Sequence, residues 1–98
     1  MSALLKAIIK EPGKEAEEFI ILNELKALQK LVGGYIECVM VEKDVVVVCD
    51  EEGRIKKKPY NCWFDGISFV GTIVVLGSKD EDFDNCPISL DQFRELCE

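Results

Sequence analysis

The sequence contains no histidine. That absence removes the commonest general base, the commonest nitrogen ligand for metals and every Ser-His or Cys-His nucleophile pair. Carboxylate and lysine chemistry stay open, so catalysis is demoted and a non-enzymatic binding protein is the first expectation. No CxxC pair occurs among the five cysteines, Cys38, Cys49, Cys62, Cys86 and Cys97. Structural zinc sites bring their ligands in close pairs, so no metal is expected. With no export signal in view, the thiols read as reduced, mostly buried small apolar residues. No apolar run approaches the roughly 20 residues that span a bilayer. The N-terminal stretch carries Lys6 and Lys10 between apolar residues and lacks the layout of a signal peptide, so the expected compartment is the cytoplasm. Basic residues are a minority, 12 Lys and Arg against 19 Asp and Glu, and the net charge of −7 speaks against general binding to nucleic-acid phosphates.

What is present suffices for one core. Hydrophobic residues make up 48% of 98 positions, which is one domain's worth of chain (1–98). The acid gathers at Glu11 to Glu18, at Asp50-Glu51-Glu52 and at Asp80 to Asp84. Arg54 and Lys56-Lys57-Lys58 form one compact basic stretch. Such clusters are read either as solvated loops or, for the basic stretch, as a site for a phosphate or another anion. Acidic mimicry of DNA is a third reading.

Along the chain, Leu4 to Lys10 is a short apolar run closed by the turn signal Glu11-Pro12-Gly13. A second run, Phe19 to Leu22, could pair with it as a hairpin. Asn23 stands where a helix N-cap belongs, and Leu25, Leu28, Leu31 and Val32 recur at helical spacing. Gly33 is the expected left-handed C-cap, Gly34 lets the backbone turn again, and Tyr35 opens a strand to Glu42. Val45 to Asp50 is apolar on both faces and should be central. Asp50-Glu51-Glu52-Gly53 reads as a turn with Gly53 left-handed. Asn61 to Gly66 reads as an irregular loop, with Trp63 and Phe64 as an exposed apolar patch. Phe69 to Leu76 is the last strong strand, in which Gly71 marks a bulge or the close approach of another group. Ser89 with Gln92 is a capping-box pattern that opens a C-terminal helix lined by Leu90, Phe93, Leu96 and Cys97. The expectation is an α+β fold: an antiparallel or mixed sheet of about five strands, one helix after the second strand and a short C-terminal helix.

Five stretches in this order, EPGK at Glu11, ALQKLVGGYIE at Ala27, CDEEGRIKKKPYN at Cys49, FVGTIVV at Phe69 and CPISLDQF at Cys86, make the chain resemble a small family catalogued as domain of unknown function 3846. The resemblance runs nearly end to end. It implies a protein encoded by phages and by conjugative elements of Gram-positive bacteria, often among genes that counter host defences, and it implies no established activity. Members of that family often carry Gly where this chain has Asp80, and Asp takes a left-handed turn less readily.

The candidate ligand-binding residues are Tyr35, Glu37, Asp50, Arg54, Lys56, Lys58, Tyr60 and Asn61. Tyr35 and Glu37 share one strand face, and a carboxylate there either edges the sheet or lines a pocket. Lys58-Pro59-Tyr60-Asn61 offers a charge, a ring and an amide, which suit the phosphate, the base and a base edge of a nucleotide. Phosphate-loop and dinucleotide glycine patterns are absent, and no cofactor is expected. Together with the family setting, these residues suggest sequestration of a nucleotide-like signal of host defence. A homodimer or higher homo-oligomer would help so short a chain to enclose it. The alternative is an acidic inhibitor that binds a host defence or restriction protein through Asp50 to Glu52 and Asp80 to Asp84. A carboxylate-based hydrolase using Glu37 or Asp50 is the remaining class.

Overall fold

A computed structural model describes residues 3–97. Among the described residues, eight strands and two helices follow in the order β1 (Leu4–Lys10), β2 (Glu17–Leu22), α1 (Leu25–Val32), β3 (Ile36–Glu42), β4 (Val45–Asp50), β5 (Tyr60–Phe64), β6 (Ile67–Val70), β7 (Ile73–Lys79), β8 (Asp82–Asp84) and α2 (Leu90–Leu96). The fold is α+β, as expected. The main sheet runs β2-β1-β7-β4-β3, with β8 also paired to β7, and every pairing is antiparallel. The strand count exceeds the expected five because two stretches read as loop or turn hold β5 and β8, and the strand expected over Phe69 to Leu76 is divided at Gly71 into β6 and β7.

β4 is central, and all six of its residues are buried. Alternation along the strand sends Val46 and Val48 to one face and Val45, Val47 and Cys49 to the other. The first face joins Leu5, Ala7, Val74 and Leu76 under Leu28 and Val32 of α1. The second face joins Ile8, Ile73 and Val75 under Cys62, Phe64 and Phe69 of the β5–β6 hairpin and Phe93 of α2. The domain therefore has three layers, with the sheet between α1 and the hairpin-plus-α2 layer. The Phe64 and Phe93 rings, 4.8 Å apart, tie the third layer together.

Several local readings need correction. Phe64 is fully buried, so the expected Trp63-Phe64 patch reduces to a half-exposed Trp63. The loop read over Asn61 to Gly66 is a hairpin, whose turn residues Asp65 and Gly66 both have positive φ, +50° and +79°. That is the backbone of the two-residue Asp-Gly turn matched to strand twist. Gly71 does not bulge a strand. It separates β6 from β7 at φ +71°, and a Cβ there would sit 2.9 Å from Lys58 Cδ, so the expected close approach is real. Gly53 is not the left-handed residue of its turn; Lys57, at φ +58°, takes that conformation. Asn23 does not cap α1. Glu24 holds the cap position without a side-chain bond, and the Asn23 amide continues the β1–β2 ladder to Ala3 O at 2.9 Å. The capping box at Ser89 and Gln92 is complete in both directions. Asp80 is left-handed at φ +51°, as is Glu81 at +69°, so the turn forms without glycine.

Candidate functional site

The helix-to-sheet joint organises the region. Gly33 ends α1 in the left-handed conformation (φ +79°), and the Gly33 and Gly34 amides both donate to Gln29 O, at 2.8 and 3.1 Å. The last carbonyls of the helix still need donors. They receive them from far along the chain: Lys58 Nζ donates to Val32 O at 2.7 Å, and Lys56 Nζ donates to Gly33 O at 3.2 Å. Two cations at a helix C-terminus also suit its dipole.

Both lysines converge on one carboxylate. Asp50 Oδ2 lies 2.9 Å from Lys56 Nζ and 2.7 Å from Lys58 Nζ, and Oδ1 accepts from the Glu52 amide at 2.9 Å. The Asp50 side chain is only 1% exposed. Burial pushes its carboxyl pKa upward, but the bonds from Lys58, Lys56 and the Glu52 amide outweigh that and hold it down at about 2. The glycines make this possible. A Cβ on Gly34 would stand 2.6 Å from both Asp50 Oδ1 and Lys56 Nζ.

On the opposite face of the sheet, a cleft of about 250 Å³ lies between edge strand β3 and strand β6. Glu37 and Val39 of β3 form one wall; Arg54 and Ile55 of the β4–β5 connection and Ile67, Ser68 and Phe69 of β6 form the other. Arg54 is positioned by one bond, from Nη2 to Ser68 O at 2.7 Å. A guanidinium has five N–H donors, so most of its donor capacity remains available at this cleft. Glu37 is exposed on an edge strand and also lines the cleft, which joins the two alternatives the sequence left open. Cys49 sits in the wall with its thiol pKa raised to about 11 by burial and by the nearby Glu37, so it stays protonated at neutral pH. Among the described residues, no group of three or more Cys, Asp or Glu side chains could hold a metal ion.

Residues 5–98 match the family described as Domain of unknown function (DUF3846). The chain belongs to that family. No curated protein and no solved structure matches it. Among the described residues, no helix is long and apolar enough to cross a membrane.

The eight residues singled out in the sequence do not share one place in this DUF3846 domain. Glu37, Asp50 and Arg54 border the cleft, although the Asp50 carboxylate turns away to its lysines. Lys56 and Lys58 hold the α1 terminus instead. Asn61 is buried: its Nδ2 donates to Lys10 O and Gly71 O, and its Oδ1 accepts from Lys10 Nζ at 2.8 Å. Tyr60 opens β5 half-exposed, and Tyr35 is exposed beside the joint, its carbonyl accepting from the Glu51 amide. The charge, ring and amide of Lys58-Pro59-Tyr60-Asn61 are thus not gathered on one surface. Ile67 and Ser68 were missed because the start of β6 was not recognised, and Ile55 because it lies in the β4–β5 connection. The Asp65-Gly66 pair, flanked by apolar residues, was the signal that could have found the start of β6.

Proposed function

We propose that this domain is a non-enzymatic binding protein that takes a small nucleotide-like ligand in the β3–β6 cleft and withholds it from a host defence pathway. One observation carries the reading: the Arg54 guanidinium and the Glu37 carboxylate border the same cleft, among apolar side chains. A guanidinium suits a phosphate, and a carboxylate suits ribose hydroxyls or a base amino group. Val39, Ile55 and Ile67 supply the apolar contact a base or sugar face needs. The volume sits below the roughly 300–1,000 Å³ of drug-sized pockets, so the cleft suits a phosphate-ribose unit better than a whole dinucleotide. The phage and mobile-element setting that the resemblance implies supports the sequestering role and the host cytoplasm as its place. The protonated Cys49 and the missing histidine support binding over catalysis.

Calorimetry of the purified protein against a panel of cyclic and ADP-ribose-derived nucleotides tests this, preceded by an ultraviolet spectrum for a retained 260 nm absorber. Binding in the micromolar range or tighter, weakened at least about tenfold by Arg54→Ala, is expected. Absence of heat with every member of the panel would sink the reading.

A second reading has its own observation. Asp80, Glu81 and Asp82 stand exposed at the β7–β8 tip. The register Val45↔Gly77 puts this tip beyond the Val45 end of β4, while Glu51 and Glu52 follow its Asp50 end. Six strand residues separate the two acidic groups, about 20 Å, so an acidic inhibitor would use one of them at a time. Its complex with a basic host protein should weaken steeply with salt and with charge reversal at Asp80 and Asp82.

A further inference from the structure

The two edges of the main sheet are built differently. On β3, Glu37 and Glu42 place charges on the strand, and the register slips between Met40 and Glu42. Charges and bulges are the usual means of blocking unwanted strand pairing. β2 also carries two acids, Glu17 and Glu18, at its first end, but it has no bulge, lysine or proline: its register with β1 is unbroken from Leu22 to Glu17. Its Phe19, Ile20 and Leu22 are 44%, 66% and 50% exposed, and Leu4 beside it is 53% exposed. Among the described residues, nothing pairs with its outer side.

The backbone phase of that side follows from one bond. The Asn23 amide donates to Ala3 O, so Asn23 and, by alternation, Ile21, Phe19 and Glu17 direct their N–H and C=O groups to β1. Leu22, Ile20 and Glu18 therefore direct theirs outward. These residues are spaced symmetrically about Ile20. In an antiparallel pair of two β2 strands with Ile20 opposite Ile20, Glu18 of each copy falls opposite Leu22 of the other. Every outward N–H then meets an outward C=O. In the same register Phe19 lies opposite Ile21 and Glu17 opposite Asn23, so no glutamate faces a glutamate. Lys6 Nζ lies 3.4 Å from the Glu18 carboxylate, so that acid brings its own partner to the seam, and Glu17 meets the neutral Asn23.

We infer that a second copy of this chain occupies the β2 edge, pairing antiparallel about Ile20 across a two-fold axis to make one continuous sheet. Ile20 of each copy meets Ile20 of the other on one face of that sheet, with Leu22 diagonal to it, so this exposed apolar surface is covered across the axis. On the other face, Phe19 is brought against Ile21 of the partner copy, beside an apolar groove lined by Ala27 and Leu31 of α1. The symmetry is isologous, as in most soluble dimers. The inference is independent of what the β3–β6 cleft binds, because the two lie on opposite edges of the sheet.

Sedimentation velocity tests it. The unmodified protein should sediment at twice the mass of the chain. Ile20→Lys, which places like charges directly opposite at an exposed position, should raise the dimer Kd at least about a hundredfold while leaving the circular dichroism spectrum unchanged. A crosslink reads the register without relying on that variant. In a Cys38→Ser background, Ile20→Cys should form a disulfide-linked dimer under mild oxidation, whereas Leu22→Cys should not, since only position 20 meets itself. A protein that stays monomeric at about 100 μM, a dimer that Ile20→Lys leaves intact, or equal crosslinking through positions 20 and 22 overturns the inference.

Discussion

At the residue scale, Asp50 and Gly34 decide the joint. The Asp50 carboxylate ties Lys56 and Lys58 to the end of α1, and the absent Cβ of Gly34 makes room for that contact. Gly34→Ala should cost about 2 kcal/mol in urea unfolding, because its new methyl overlaps two paired charged atoms. Gly13→Ala is the contrasting case, because Gly34 is not left-handed and Gly13 is. It has the left-handed φ of +74° but nothing within 4 Å, so conformational strain alone should cost about 1 kcal/mol. Asp50→Asn should also cost about 2 kcal/mol. Breaking a fully buried ion pair costs about 3–5 kcal/mol, but here the lysine side chains are 39% and 23% exposed and can turn to water. Folding favours the ionised form of Asp50, whose pKa falls from 3.8 to about 2. The associated stability is complete above pH 3.8 and disappears as pH falls through about 2. Asp50→Asn should flatten that part of the stability-pH profile, followed by thermal melts across the acid range.

At the element scale, α1 and α2 end and begin by different devices. α2 is opened locally, by Ser89 accepting from the Gln92 amide and Gln92 Oε1 accepting from the Ser89 amide. Ser89→Ala should therefore cost about 1 kcal/mol in denaturant unfolding, with Ser89→Asp recovering most of it. α1 is closed partly by distant residues, since Lys58 reaches Val32 from 26 positions away. Lys58→Met should shorten the cooperative unit at α1, seen as faster amide exchange at Gly33 and Gly34 than in the unmodified chain. The β5–β6 hairpin belongs to the other layer. Its Asp65-Gly66 turn delivers Phe64 to the core and Ser68 to the Arg54 guanidinium.

At the scale of the whole molecule, the thiols report how the three layers protect the sheet. Cys49, Cys62 and Cys86 are buried, Cys97 is intermediate and Cys38 is exposed on β3. Burial raises the pKa of Cys62 to about 12, helped by its contact with Cys97, and raises those of Cys49 and Cys86 as well. A thiol reagent should label Cys38 first and Cys97 more slowly. The three buried thiols should react only at the rate of unfolding, a pattern checked by mass spectrometry of labelled peptides. Fast labelling of Cys49 in native buffer would show that the β3–β6 cleft opens to the core.

The sequence by itself determined the features that depend on a few neighbouring residues. Gly33 as the end of α1, the Ser89 capping box, the doubly apolar β4 and the Glu11-Pro12-Gly13 turn all follow from local geometry and alternation, and all stand in the fold. The α+β class was legible for the same reason. Tertiary structure decided what required distant partners. Nothing near Lys58 in the chain shows that its ammonium closes a helix, and nothing near Asn61 shows that it is buried against Lys10, 51 positions away. A run of basic residues looks like an anion site until the fold supplies Asp50 and two helix carbonyls as its partners. Glu37 and Arg54 border one cleft only because antiparallel β3 and β4 and the returning β6 place their positions together. The charge of a side chain is written in the sequence, but whether that charge faces a ligand or a carbonyl depends on which strands become neighbours.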